Sequence, residues 1–519
     1  MLKGNHDYWW TTASKMKAFF ESHGICRLYK LYAAESRKHM TDRGKKDVAI
    51  RLTIDLIKNK NGKAGAAIVV LCAIIILAAV PWFMIISKNL SGDIPYLSPA
   101  PFDDNGDDIQ NTDQSGNQND AAGSDDPTPN ANDDNQSNRN ARNLPTGPLS
   151  PFDAKRIDIS QAMSDMPEIL DQISSAYNSA AVNLVVYDGD TGEYFTYEYG
   201  HADIEAKREA MTDTKFRVAS LSKVIVAICA LYLVDEGYID LDTDVSNYFG
   251  YEVRNVHFPD TPITTRMLMQ HTSSIFDSGA YQVSRDRNSS EPVKYLIERG
   301  SSYRRNKPGT FFEYSNFGYA VLGSMCERVT GKTLDTLSRE IIFEPLGIDA
   351  AFVAANIDAA HEIAVIYDSD HTPSRSVQSQ LGIEQSDIPG NDLHLAHGSL
   401  TISAFDFARI LAMLGSEGSF DDVMILSAES TQEFHDANVE GYDYMQGLAT
   451  RYSVGGFIDN EGFYWHTGSS YGIYAQYVYQ TNPNRGVVVI TTGASIARLE
   501  SGMIDLCTDL ALAAWDAVF

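Results

Sequence analysis

The hydrophobic pattern of the chain changes character several times. Ala64 to Ile86 runs twenty-three residues without a charge, long enough to cross a bilayer as one helix. Between 91 and 150 the apolar content nearly vanishes, and Asp, Asn, Gln, Ser, Gly and Pro dominate. Such a segment cannot bury enough surface to offset its ordering entropy, so it is expected to be disordered. Beyond it, Val182–Tyr187 and Tyr194–Tyr199 flank the turn Asp188-Gly189-Asp190-Thr191-Gly192, which predicts a β-hairpin. Val224 to Val234 is apolar on every side, which predicts a helix buried all round. Gly237 supplies its stop. Helical runs follow at 320–329 and 404–414. Short alternating or β-branched runs at 447–452, 463–466, 473–480 and 486–492 predict strands. A last apolar helix is expected over roughly 494–515.

Strands at both ends and helices between them predict an α+β fold. In its simplest form the first hairpin joins the C-terminal strands in one antiparallel sheet flanked by the terminal helices, with a helical lobe in the middle and a cleft between. Charge sets the organisation around this domain. Residues 1–63 hold fourteen Lys/Arg against six Asp/Glu, whereas residues 91–150 hold two Arg against eleven Asp. The positive-inside rule therefore predicts a cytoplasmic basic segment (1–63), one transmembrane helix (64–86), an acidic linker (87–150) and an extracytoplasmic domain (151–519). A net charge of -28 and a pI near 4.7 argue against a nucleic-acid partner. The five cysteines, Cys26, Cys72, Cys229, Cys326 and Cys507, are scattered without metal-ligand spacing or a disulfide framework.

The candidate chemistry begins immediately before the apolar helix, at Ser220-Leu221-Ser222-Lys223. Positions i and i+3 share a helix face, so Lys223 sits one turn above Ser220. A nucleophilic serine needs a proton acceptor and a positive environment, and this spacing offers both. An unpaired ammonium beside a wholly apolar run is costly, so Lys223 is expected to have partners elsewhere. Tyr314-Ser315-Asn316 and His466-Thr467-Gly468 are the candidates. The pattern of His271, His394 and His397 is not diagnostic of zinc, and these are read as structural. No metal and no cofactor is called for.

Ser220-Leu221-Ser222-Lys223, Tyr314-Ser315-Asn316 and His466-Thr467-Gly468 fall in the order and spacing of the serine β-lactamase and penicillin-binding-protein family. The chain most resembles the class C branch, with its related D,D-peptidases, D-aminopeptidases and esterases. Gly237-Tyr238-Ile239-Asp240-Leu241-Asp242, His271-Thr272-Ser273 and Gly398-Ser399-Leu400 agree. The resemblance covers about residues 170–515. It implies that Ser220 attacks a carbonyl to form an acyl-enzyme, with Lys223 or Tyr314 as the base; which of them serves stays open. It implies substrate contacts from Asn316, His466, Thr467 and Gly468, and an oxyanion hole from the backbone N–H groups of Ser220 and Ser469. Gly468, without a side chain, is expected to let substrate approach that strand. One departure is His466, where many relatives carry lysine; histidine is mostly neutral at pH 7, which weakens the case for antibiotic resistance. Expected substrates are small molecules or peptides, cell-wall peptides among them. The rival expectations are a sensor acylated without turnover and an inactive scaffold.

The first residues tell a separate story. Gly4-Asn5-His6-Asp7 resembles a motif of calcineurin-like metallophosphoesterases, but the further Asp and His ligands such a site needs do not follow. Residues 1–25 are read as a truncated, non-functional fragment.

Overall fold

The computed structural model describes residues 155–156, 166–283, 291–436, 451–453, 463–499 and 501–519. All belong to the second of two compact units, Asp133–Phe519. The expected membrane helix and acidic linker, Cys26, Cys72 and the N-terminal motif lie outside the described residues. Among those described, no helix is long and apolar enough to cross a membrane.

Helix α1 (Met166–Ala176) leads into the hairpin β1 (Ala181–Asp188) and β2 (Glu193–Asp203). The short strand β3 (Lys215–Arg217) feeds α2 (Ser222–Asp235), and α3 (Thr265–Met269) and α4 (Asn316–Thr330) follow. A small hairpin, β4 (Ile366–Tyr367) and β5 (Pro373–Arg375), precedes β6 (Thr401–Ser403) and α5 (Ala404–Gly415). Strands β7 (Phe463–Ser470), β8 (Ile473–Thr481) and β9 (Asn484–Thr492) and helix α6 (Asp505–Val518) complete the chain.

The first hairpin and the C-terminal strands do form one sheet. Its order is β2-β1-β9-β8-β7, extended at the edges by Lys155–Arg156 and Arg451–Ser453. Both faces are buried, and the two-residue period of a strand divides its side chains between them. Ala181, Val185 and Tyr187 of β1 face one side, and Val182, Leu184 and Val186 the other. In β9, Val488 and Ile490 oppose Val487 and Val489. This explains why these strands read as continuous apolar runs. Helices α1 and α6 cover one face. On the other, a single cluster runs from the strands through α2, α4 and α5, so the helical middle and the sheet share one core. Val224, Ile225, Val226, Ile228 and Leu231 of α2 are all at 0% exposure within it. Each contributes about 1.5–3 kcal/mol by leaving water.

Several boundaries differ from the sequence expectation for local reasons. Helix α4 starts at Asn316, ahead of the apolar run, because the Ser315 hydroxyl caps it by accepting from the Gly318 N–H at 2.8 Å. Strand β7 continues past His466 to Ser470, paired throughout with β8. Helix α6 begins only at Asp505, since Gly493 takes a φ of 74° and the following loop is closed by a bridge between Arg498 and Ile504. Of the strand expected at 447–452, only 451–452 lie among the described residues, within the strand Arg451–Ser453.

Candidate active site

Ser220 lies in a single tight turn, Ala219–Leu221, that runs directly into α2. The turn requires Ala219 to adopt a φ of 48°, a left-handed conformation that costs an L-residue about 1–2 kcal/mol. The surroundings hold it there. The Val218 N–H donates to the Leu400 carbonyl at 2.8 Å. The Ser222 hydroxyl donates to the Ala219 carbonyl at 2.6 Å and accepts from the Leu400 N–H at 3.0 Å. Arg217 Nε donates to the Gly398 carbonyl at 2.8 Å. Such over-determined strain is typical of sites where a reacting atom must be presented.

Lys223 is wholly buried and projects back under this turn. Its ammonium donates to Ser220 Oγ at 3.2 Å, Asn316 Oδ1 at 2.9 Å and the His397 carbonyl at 2.8 Å. The last two oxygens can only accept from a lysine, so they fix two of its three N–H directions and leave the third position facing the nucleophile. The rings of Tyr314 and Tyr319 flank it at 5.0 and 5.7 Å. Here the partners that burial demands are found.

Asn316 is held from behind by Asp277. One carboxylate oxygen accepts from Asn316 Nδ2 at 2.8 Å; the other accepts from the Phe317 N–H at 2.9 Å and the Ser315 hydroxyl at 3.3 Å. A donor-only ammonium on one side and an acceptor-only carboxylate on the other permit a single orientation of the amide. Burial pushes the Asp277 carboxyl above its ordinary range, opposed by the Phe317 N–H, Asn316 and the charge of Lys223. Sequence reading missed Asp277. The available signal was its place six residues after His271, in the polar turn that follows α3.

His271 works in the same loop cluster. Its Nδ1 accepts from the Ser315 N–H at 3.1 Å, which places its ring proton on Nε2. Its ring lies 4.5 Å from Tyr314 and 5.0 Å from Tyr319. His271 thus seats the Tyr314-Ser315-Asn316 segment. His397 bonds through Nδ1 to the Tyr281 hydroxyl at 3.2 Å, and its ring lies 6.0 Å from His394. Burial, then the charge of Lys223, holds the His397 imidazole well below its usual range.

Strand β7 forms the opposite wall. The Tyr314 and His466 rings are 6.3 Å apart. His466 Nδ1 donates to the Thr467 carbonyl at 2.8 Å, which leaves Nε2 as an acceptor when the ring is neutral. The Thr467 hydroxyl accepts from Arg498 at 3.4 Å. A Cβ on Gly468 would lie 2.3 Å from the Val218 carbonyl. The expected close approach at Gly468 is therefore made first by the protein's own backbone, at Val218 just ahead of the nucleophile turn.

The sequence profile described as Beta-lactamase matches residues 166–502. The chain belongs to that family, whose members are generally serine hydrolases working through an acyl-enzyme. Penicillin-binding protein 4 of Amycolatopsis lactamdurans is 27% identical over 294 residues, covering 54% of this chain and 73% of the relative. Protein flp of Staphylococcus aureus strain MRSA252 is 27% identical over 187 residues; the match spans only 37% of its length. Among solved structures, an octameric penicillin-binding protein homologue from Pyrococcus abyssi superposes with a TM-score of 0.54 at 20% identity, over 69% of this chain and 77% of that one. A class C β-lactamase gives 0.54 at 16% identity, over 69% and 97%. At these identities the structural likeness speaks for the fold.

Proposed function

We propose that this protein is a membrane-anchored, extracytoplasmic serine hydrolase that opens amides or esters through an acyl-enzyme on Ser220. The observation that carries the reading is the buried Lys223 ammonium, 3.2 Å from Ser220 Oγ and braced by Asn316 and the His397 carbonyl. In the first step the Ser220 Oγ–C bond forms as the hydroxyl proton passes to whichever of the two is deprotonated, Lys223 as the neutral amine or Tyr314 as the phenolate beside the Lys223 ammonium, and the carbonyl oxygen takes the negative charge between the N–H groups of Ser220 and Ser469. Collapse expels the leaving group, which receives that proton. Water then attacks the ester, with the same base taking its proton, and frees Ser220. Asn316, Thr467 and His466 line the path and orient the substrate. The substrate classes that suit this chemistry are D-amino-acid peptides, β-lactams and small esters. Anchoring rests on the apolar run 64–86 and the charge asymmetry across it.

The test is the intact mass of the full-length chain after mixing with benzylpenicillin, with Ser220→Ala alongside. A lasting adduct lost in the variant supports the acyl-enzyme and favours a penicillin-binding protein or sensor. Loss of penicillin without an adduct points to β-lactamase turnover. If neither changes, β-lactam recognition is excluded and D-aminoacyl peptides and short esters are tried. No labelling of Ser220 by any of them sinks the reading.

A further inference from the structure

Past Ser469 and Ser470, β7 turns into β8 through Tyr471 and Gly472, whose φ angles are 54° and 84°. Two successive left-handed residues define the tight hairpin turn that favours Asn-Gly. Gly472 is required there, because a Cβ would lie 2.0 Å from the Tyr367 carbonyl. Tyr471 is not what the turn prefers: an aromatic residue with positive φ is strained. Its ring is nevertheless presented 40% exposed at the end of the wall that carries Ser469.

Two guanidinium groups converge on that ring. Arg375 Cζ lies 3.8 Å from its centroid and Arg217 Cζ 5.5 Å. Arg217 also ties down the nucleophile corner through the Gly398 carbonyl and the Ser399 hydroxyl. Among the described residues the Arg375 guanidinium donates one hydrogen bond, to the Ser374 carbonyl. Among the described residues neither arginine has a carboxylate within ion-pairing distance, although Arg254, Arg266, Arg304, Arg328, Arg409 and Arg485 each do. In a chain of net charge -28, two neighbouring cations are left without a protein anion. Burial pulls the Arg217 guanidinium below its usual range; Tyr471 opposes this and Arg375 adds to it.

The acyl-enzyme reading, on which this inference rests, fixes which half of the substrate reaches this place. Tyr314, the group able to protonate the leaving group, stands beside His466 in the middle of β7, whereas Tyr471 follows the end of that strand. The acyl half then runs along β7 toward Ser469 and Tyr471. We propose that Arg217, Arg375 and Tyr471 form an anion subsite that binds a carboxylate on the acyl half of the substrate. Guanidinium forks match a carboxylate in two parallel hydrogen bonds, and the Tyr471 hydroxyl adds a donor.

The full-length protein is tested with 4-nitrophenyl hydrogen adipate and 4-nitrophenyl hexanoate, six-carbon acyl donors that differ in the terminal carboxylate. Acylation of Ser220 is followed by mass and by 4-nitrophenolate release. The wild type is expected to prefer the adipate by about tenfold or more, and Arg375→Gln and Tyr471→Asn to bring the ratio toward one. Tyr471→Asn is also expected to raise the melting temperature, because it restores the favoured turn. That gain separates lost selectivity from misfolding. Equal rates in the wild type, or a ratio that survives both substitutions, overturn the subsite and leave the acyl-enzyme standing. If neither ester labels Ser220, small esters drop out of the acyl-enzyme reading, and free adipate decides the subsite alone. A thermal shift in the wild type that is absent in Arg375→Gln supports it; no shift in the wild type overturns it.

Discussion

A carboxylate sits at each end of helix α4, the half-buried Asp277 against its first turn and the buried Glu327 within its last, and the two have opposite uses. At the N-terminus, burial raises Asp277, but the Phe317 N–H of the first turn, Asn316, Lys223 and Ser315 all favour its charged form. The positive end of the helix dipole acts in the same sense. At the C-terminus, Glu327 accepts from the Leu334 and Gly390 N–H groups, both at 2.7 Å. There burial is reinforced by the neighbouring Asp392, and the Glu327 carboxyl is pushed up to about 7. Asp392 itself is pushed up to about 6, chiefly by burial. The negative end of the dipole also disfavours charge at this end. The contrast shows that burial alone does not define a functional acid. The nearby donors and charges decide whether the group serves as a fixed anion or as a proton-dependent clasp.

The largest test of this contrast is Lys223→Met, which removes the cation that Asp277 answers through Asn316. Acylation of Ser220 by any reactive ester is expected to fall about 10³–10⁴-fold, near the upper range for a positioned acid–base group. The Asn316 and His397 oxygens lose their donor, at about 1–3 kcal/mol each in urea-unfolding stability. A rate loss below tenfold would remove Lys223 from the chemistry. Next in size is Asp277→Asn, for which a loss of about 10–100-fold is expected. The new amide must use its oxygen for the Phe317 N–H, and its NH₂ group then opposes that of Asn316. Asn316 is driven to flip and turn a donor toward Lys223. The pH profile gives the sharper reading. The charged form of Asp277 is the working one, so wild-type acylation should fall in acid at a pH above the ordinary carboxylate value of 3.8. Asp277→Asn should lack that limb. If Glu327→Gln slowed acylation as much as Asp277→Asn, the difference between the two ends would disappear.

Much of this was legible in the sequence, for identifiable reasons. The Ser220–Lys223 spacing survives as a shared face even though Ser220 sits in a tight turn before α2, because both geometries return after about three residues. The apolar runs of α2, β8 and β9 are long enough to declare themselves. Asp277 and Arg375 were not legible, since each acquires its role from partners far along the chain. Asp277 meets residue 316 across a loop, and Arg375 meets Tyr471 across two hairpins. The strain at Ala219 was hidden as well, because alanine gives no hint of a left-handed φ, whereas Gly237, with a φ of 71°, could be anticipated.

The smallest expected effect concerns the C-terminal end of α4, and it appears in stability. An unfolded Glu327 would release its proton near the ordinary value of 4.5, whereas the folded group holds it to about 7. Between these values the native state binds more protons than the unfolded one, so stability falls as pH rises. The contribution is complete below about 4.5 and lost above about 7, and for Glu327 it is on the order of 3 kcal/mol. Asp392 contributes with the same sign over a lower window, from 3.8 to about 6. Glu327→Gln keeps one acceptor oxygen for two N–H donors, so one of Leu334 and Gly390 goes unpaired at about 1 kcal/mol. Urea unfolding from pH 5 to 8 should therefore show the variant less stable than wild type at pH 5 and at least equal at pH 8. The residual slope belongs to the other shifted groups, Asp392 with the same sign and His397 with the opposite one. Parallel curves for the two proteins would mean that Glu327 titrates like an ordinary carboxylate, and the two ends of α4 would then differ in position only.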